Sequence, residues 1–162
     1  MPIVGCGRWA DEVPLTIEQI VEEEFFEFSR RIKIKDYFKI KEISNDLIKA
    51  YTENHSVYHN LNHIIDCLNE CKEMPYLAEH PNEIEMAVWF HDIVYDPKAR
   101  DNEDKSAKIA YETSRNISLP EIFSQRVYNL ILATKHHELS KDIDAKILVD
   151  IDLSILGQPR EK

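Results

Sequence analysis

The chain has 162 residues, 43% of them hydrophobic and 31% charged, a globular balance that argues against disorder and gives room for one well-buried domain rather than two. A net charge of −10 makes a nucleic-acid polymer an unexpected partner, because neutralising its phosphates takes a Lys/Arg surface; a small phosphate ester held by a metal stays open. With three glycines in the whole chain, a turn-rich all-β fold and a glycine-rich phosphate loop are both unexpected.

Residues 1–14 read as an irregular lead-in, with Pro2, Gly5, Gly7 and Pro14 interrupting any periodicity, and residues 15–162 read as one helical domain. Thr16 is the expected N-cap of a first helix, followed by Glu18 and Gln19 and an apolar stripe of Ile17, Ile20, Val21, Phe25 and Phe28. Glu22-Glu23-Glu24 is expected to form a solvated face. Arg30, Arg31, Lys33 and Lys35 follow at the C-terminal end, where the helix dipole favours cations. A second helix is expected over about Lys39 to Thr52, with Ile40, Ile43, Leu47, Ile48 and Tyr51 on one side. A third starts near Tyr58 or Asn60 and carries His63, Ile64, Cys67, Leu68 and Cys71 up to Pro75. The fourth starts after Pro81 and runs through Ile84, Val88 and Trp89 into His91-Asp92, stopped by Asp96-Pro97. Asp101 is the expected cap of a fifth helix (Lys105 to Thr113), Pro120 opens a sixth reaching about His137, and a last helix covers Asp142 to Leu156 before Gly157. No stretch alternates with a two-residue period, so the fold class is all-α, a bundle of six to seven helices.

Three cysteines (Cys6, Cys67 and Cys71) and no secretory signal point to reduced thiols in a cytoplasmic protein. Cys67 and Cys71, four apart on a helix, read as structural thiols rather than metal ligands. No segment approaches the ~20 apolar residues of a membrane span, so no membrane partner is expected.

The chemistry lies where polar residues interrupt apolar helical stripes. In Ala87-Val88-Trp89-Phe90-His91-Asp92-Ile93-Val94-Tyr95-Asp96 an imidazole and a carboxylate sit inside an apolar run. Burying both without partners costs several kcal/mol. A divalent cation would satisfy them together; so would a mutual pair, or a helix end facing water. His59 and His63 are four apart and so share a helix face, although that spacing alone is equally that of satisfied core histidines. Asp152 lies within Ile147-Leu148-Val149-Asp150-Ile151-Asp152-Leu153, again a carboxylate in an apolar helix. Two imidazoles and two carboxylates (His63, His91, Asp92 and Asp152) would form a mixed N/O site for a transition metal with positions left for water and substrate.

The order His…His-Asp…Asp on helices resembles the HD-domain metal-dependent phosphohydrolase superfamily. The longer strings resemble one bacterial-type group of it: Tyr58-His59-Asn60-Leu61-x-His63-Ile64, Ala87 to Pro97, Asn102-Glu103-x-x-Ser106-Ala107, Thr134-x-x-His137, and Asp150-x-Asp152-Leu153-Ser154-Ile155-Leu156-Gly157. Together they extend from Tyr51 to Gly157. The resemblance implies that His63, His91, Asp92 and Asp152 bind a divalent transition metal (Mn, Ni, Co, Fe or Zn, with Mg also admitted), Asp92 being the ligand best placed to bridge a second ion. The Tyr-His-Asn-x-x-His string is also similar to that of class I cyclic-nucleotide phosphodiesterases, which by analogy makes His59 a general-acid candidate. His137 is a candidate contact for phosphate or a second metal, with a packing role as the alternative, and Glu103 a candidate for orienting water or the ligand shell or else for supporting the start of the fifth helix. Asp150, two residues from Asp152, faces elsewhere and reads as a supporting group.

The chain departs from the pattern in two places. The arginine that the group carries shortly before Tyr-His-Asn is replaced by His55, Ser56 and Val57, and the sequence stops at Lys162 where relatives of this type continue with further helix. The implied function is hydrolysis of a small phosphorylated substrate, a nucleotide or another phosphomonoester, by metal-activated water attacking phosphorus. Two rivals remain: a non-enzymatic metal- or nucleotide-binding module of the same fold, and an HD-type di-iron oxygenase, which needs more histidines around two metals. Oligomeric state is undetermined, with a homodimer as one option.

Overall fold

The computed structural model of the chain describes residues 13–53, 58–74, 76–135 and 141–156. Among them are seven helices and no strand: α1 (Ile17–Arg31), α2 (Tyr37–Glu53), α3 (Leu61–Glu73), α4 (Pro81–Phe90), α5 (Asn102–Asn116), α6 (Glu121–Ala133) and α7 (Ile143–Leu156). The all-α expectation holds, and each expected helix is present within a few residues of its anticipated start.

α1 begins as its sequence dictates. The Thr16 hydroxyl accepts the Gln19 N–H, and the Gln19 side chain accepts the Thr16 N–H at 2.8 Å, a reciprocal capping box. Val21, Phe25 and Phe28 then point inward. The acidic run Glu22-Glu23-Glu24 is not the purely solvated face expected of it. Glu23 is exposed, but Glu22 pairs with Lys41 of α2 and Glu24 with Lys72 of α3 at 2.7 Å, so the run stitches α1 to both neighbours. Arg31 likewise reaches Glu85 of α4. These pairs are partly exposed and contribute modestly to stability.

α1 and α5 end in the same way. The Ile34 N–H bonds back to Ser29 O and the Leu119 N–H to Ser114 O, with Lys33 and Ser118 in the left-handed region at φ 64° and 63°. This is the Schellman arrangement, in which glycine is the usual residue. The strings Ser29-Arg30-Arg31-Ile32-Lys33-Ile34 and Ser114-Arg115-Asn116-Ile117-Ser118-Leu119 share its pattern.

α4 is the axis of the bundle. It packs on α3, α5, α6 and α7, and seven of its ten residues are buried, which is why the run from Met86 to Phe90 is apolar without a break. Trp89 meets Phe25 edge-to-face at a centroid distance of 5.2 Å, joining α4 to α1. α7 lies against α3 and α4 through Ala145, Ile147, Leu148 and Ile151.

Two helix ends and one cap differ from expectation. α4 stops at Phe90 instead of running to Asp96, so His91 and Asp92 lie in a turn at its end. The His91 side chain occupies the Val88 carbonyl and Ile93 N–H closes back on Phe90 O at 3.1 Å, which breaks the helical ladder there. α6 ends at Ala133, short of His137: the Thr134 N–H bonds to Ile131 O in a tightened last turn, and the Thr134 hydroxyl takes the same carbonyl at 2.7 Å. Asp101 stands at the N-cap position of α5, but its carboxylate pairs with Lys105 at 3.0 Å rather than closing the first turn.

Candidate metal centre

Each member of the cluster is placed by local chain chemistry. Asn60 is the N-cap of α3, and its side chain accepts the His63 N–H at 3.2 Å, so His63 sits in the first turn with its ring directed inward, 3% exposed. His59 precedes that cap and is therefore off the helix, contrary to the expectation of two histidines sharing one helical face. The turn still brings the two rings together, 5.5 Å between centroids and nearly perpendicular. His91 ends α4 and is 2% exposed; Asp92 follows in the turn. Asp152 arrives from α7, buried on the face of Leu148 and Ile151, while Asp150 faces elsewhere and is exposed, which does not fit the supporting role expected of it.

These four side chains, His63, His91, Asp92 and Asp152, converge so that one donor atom from each lies within 4.8 Å of all the others. The two Nε2 atoms are 3.4 Å apart. Asp92 Oδ2 is 3.0 Å from His91 Nε2 and 3.7 Å from His63 Nε2, and Asp152 Oδ1 is 3.3 Å and 3.5 Å from His63 and His91. A metal with ligands at about 2.1 Å sets adjacent donor atoms about 3.0 Å apart in an octahedron and about 3.4 Å in a tetrahedron. The spacings of 3.0, 3.3 and 3.4 Å fall in that range, and those of 3.5 and 3.7 Å lie just beyond it.

Two details fit the same reading. His91 Nδ1 lies 2.8 Å from Val88 O, so that nitrogen carries a proton and Nε2 is the atom turned into the cluster, the one whose lone pair a metal would take. Asp152 Oδ1 is buried with no well-aligned hydrogen bond among the described residues; its neighbours are the two imidazoles at 3.3 and 3.5 Å, whose nitrogens surround the point where a cation would sit. The donor set is two imidazole nitrogens and two carboxylate oxygens, suited to first-row transition metals.

The surroundings complete the shell. His59 Nδ1 is 2.6 Å from Asp92 Oδ2, and the Tyr95 ring lies against His59 at a centroid distance of 4.6 Å. Cys67, one turn along α3 from His63, has its sulfur 3.7 Å from His63 Nε2 and 3.9 Å from Nδ1. Burial, reinforced by Asp152, pushes its thiol far up, so in the metal-free protein it is a neutral neighbour of His63. Cys71 is also a free thiol, pushed up to about 12 by burial. The turn is tied to α5 by the Val94 N–H on Ser106 Oγ (3.1 Å) and by a reciprocal pair between Asp96 and Asn102, a role the sequence did not assign to Ser106 or Asn102. Glu103 is half-buried in the first turn of α5 beside these two. His137, His136 and positions 55–57 lie outside the described residues.

Without a metal the cluster is held by its own charges. Burial works against the His91 imidazolium, but Asp92 and Asp152 outweigh it and hold its pKa well above the usual value. Burial likewise opposes ionisation of Asp92 and Asp152, yet the histidines hold both far below the ordinary carboxylate range. The carboxylates therefore contribute stability above their unfolded pKa of about 3.9 that is lost as pH falls through the folded values. His91 contributes stability that is complete below its unfolded pKa of about 6.5 and is lost as pH rises through the folded value. A metal needs the neutral imidazole and displaces that proton. The metal-induced rise in melting temperature should therefore grow between pH 6 and 8.5, with Kd tightening about tenfold per unit of pH while His91 is protonated. Melting curves with and without Mn(II) or Co(II) across that range check this. An increment that shrinks as pH rises would contradict the displaced proton.

Compared with protein-family models, curated proteins and solved structures, the chain has no significant match in any of the three. Its fold and site define a class all the same: an all-α bundle whose centre holds a buried two-histidine, two-aspartate group able to hold a metal ion. Among the described residues no helix is long and apolar enough to cross a membrane.

Proposed function

We propose that this chain is a metal-dependent hydrolase of small phosphate esters, of the HD-domain type that its motifs resemble. The observation that carries the reading is the convergence of His63 from α3, His91-Asp92 from the end of α4 and Asp152 from α7 into one buried cluster, in the chain order His…His-Asp…Asp. Those four residues would hold the ion, which when bound supplies Lewis acidity toward a phosphoryl oxygen and lowers the pKa of water.

The protein's own groups have separable tasks in this reading. The helical core excludes bulk water behind His63 and His91 and so strengthens the field of the two carboxylates. Asp92 serves twice, as a ligand and as the acceptor that fixes the His59 ring. With Nδ1 engaged at Asp92, proton transfer from His59 to a departing alcohol oxygen runs through Nε2. The net charge of −10 favours a small, metal-neutralised anion over a polyanion.

The test begins with elemental analysis of protein purified without chelator. A panel of phosphomonoesters, nucleotides and cyclic nucleotides then follows in the metal found, with Asp92→Asn beside the wild type. Phosphate release that needs the metal and disappears in Asp92→Asn is the expected result. Stoichiometric metal with no release under Mn, Co, Ni, Fe or Zn would leave a metal-binding module, and two irons per chain would move the reading to an oxygenase.

A further inference from the structure

At the end of a helix the last four carbonyl oxygens have no intrahelical donor. In α4 these belong to Ala87, Val88, Trp89 and Phe90, and each has a partner in the structure. Ala87 O takes the His91 N–H at 2.8 Å, Val88 O the His91 ring at 2.8 Å, and Phe90 O the Ile93 N–H at 3.1 Å. All three partners come from the turn itself. The Trp89 carbonyl instead accepts the Tyr51 hydroxyl at 2.9 Å, from the last turn of α2 and 38 residues away in sequence.

We infer that Tyr51 is a positioning residue for the metal centre, its hydroxyl pinning the end of α4 so that His91 and Asp92 emerge in register with His63 and Asp152. The inference rests on the metal reading of that cluster. Tyr51 is 2% exposed and wedged behind the ligand turn, so its ring fixes where the hydroxyl can reach. Trp89 is itself 0% exposed, so no bulk water is at hand to replace the phenol on its carbonyl. His91 and Asp92 are the two residues immediately after Trp89. A shift of that carbonyl therefore passes straight into two of the four ligands.

The variant that isolates this role is Tyr51→Phe, which keeps the ring and removes the hydroxyl alone. Its control is Leu47→Val, one turn earlier on α2 and equally buried, which thins the core without touching the end of α4. Both are titrated with Co(II) in the full chain, reading the dissociation constant and the visible ligand-field spectrum. Tyr51→Phe should bind Co(II) about tenfold or more weakly, as loss of an outer-shell partner generally does, and with an altered spectrum. Leu47→Val should lower the melting temperature yet keep the wild-type affinity and spectrum. Unchanged affinity and spectrum in Tyr51→Phe would overturn the assignment, as would equal weakening in both variants. A wild type that binds no Co(II) at all would instead overturn the metal reading, and this inference with it.

Discussion

His91→Ala should abolish stoichiometric metal binding, weakening affinity by on the order of a hundredfold or more, since even outer-shell partners of a ligand are worth 10–100-fold. Three features of His91 combine to make it the most consequential of the four. Its Nε2 is 3.0 Å from Asp92 and 3.5 Å from Asp152, close to both carboxylates, and its Nδ1 holds the Val88 carbonyl. Removing the ring therefore takes away a ligand and a helix-end donor at once. It also leaves Asp92 and Asp152 without the cation that keeps them ionised in the metal-free protein. Breaking a buried pair in this way costs about 3–5 kcal/mol, so the metal-free variant should also melt at a lower temperature. Circular dichroism at low temperature establishes that the variant is helical, and elemental analysis then reads the metal. His91→Ala that retains one ion per chain with wild-type affinity would remove His91 from the site.

Asp144→Ala should be the most damaging single change away from the cluster. Asp144 is buried in the first turn of α7, and its carboxylate accepts the Glu79 N–H (2.8 Å), the His80 N–H (3.0 Å) and His80 Nδ1 (2.9 Å). His80 occupies the N-cap of α4 but provides no side-chain cap of its own, so α4 borrows its entry clamp from α7. Hydrogen bonds to a charged group contribute about 1.5–3 kcal/mol each and are not additive, so a total loss of about 3 kcal/mol is expected. For a chain of this size that is a fall of roughly 6–12 °C in melting temperature. Asp144→Asn, which keeps one acceptor, should recover part of the loss. The clamp also sets the relative placement of α4 and α7, which deliver His91-Asp92 and Asp152, so metal affinity should fall as well. A loss below about 1 kcal/mol by denaturant melts would mean that water replaces the carboxylate and the clamp adds little.

Much of this was legible in the sequence because it is local. The Thr16-x-x-Gln19 start of α1, the period of Val21, Phe25 and Phe28, and the Pro at the start of α4 each act within a turn or two, and the structure reproduces them. The polar intrusions at His63, His91-Asp92 and Asp152 were visible for a related reason. A charge inside an apolar helical stripe has no cheap resting place, so it announces a partner before the partner is known.

Local pattern could not say where a helix yields to its neighbours. α4 ends at Phe90 because His91 turns back onto Val88 and Tyr51 comes across from α2 to Trp89, and no periodicity within α4 carries that information. The same holds for His59, which shares a site with His63 through the Asn60 cap rather than through helical spacing. Glu22 and Glu24 also look like solvated charge until α2 and α3 bring Lys41 and Lys72 to them.

The sequence by itself thus determined the helical class, the buried stripes and the four residues that required partners, since these follow from propensity, periodicity and the cost of burying charge. Only the tertiary structure decided that the four meet in one cluster 3.0–3.7 Å across its measured histidine contacts, and that Tyr51 and Asp144 hold the two ends of α4. Those facts depend on contacts between segments far apart in the chain, which form when the helices pack and leave no periodic trace in any one of them.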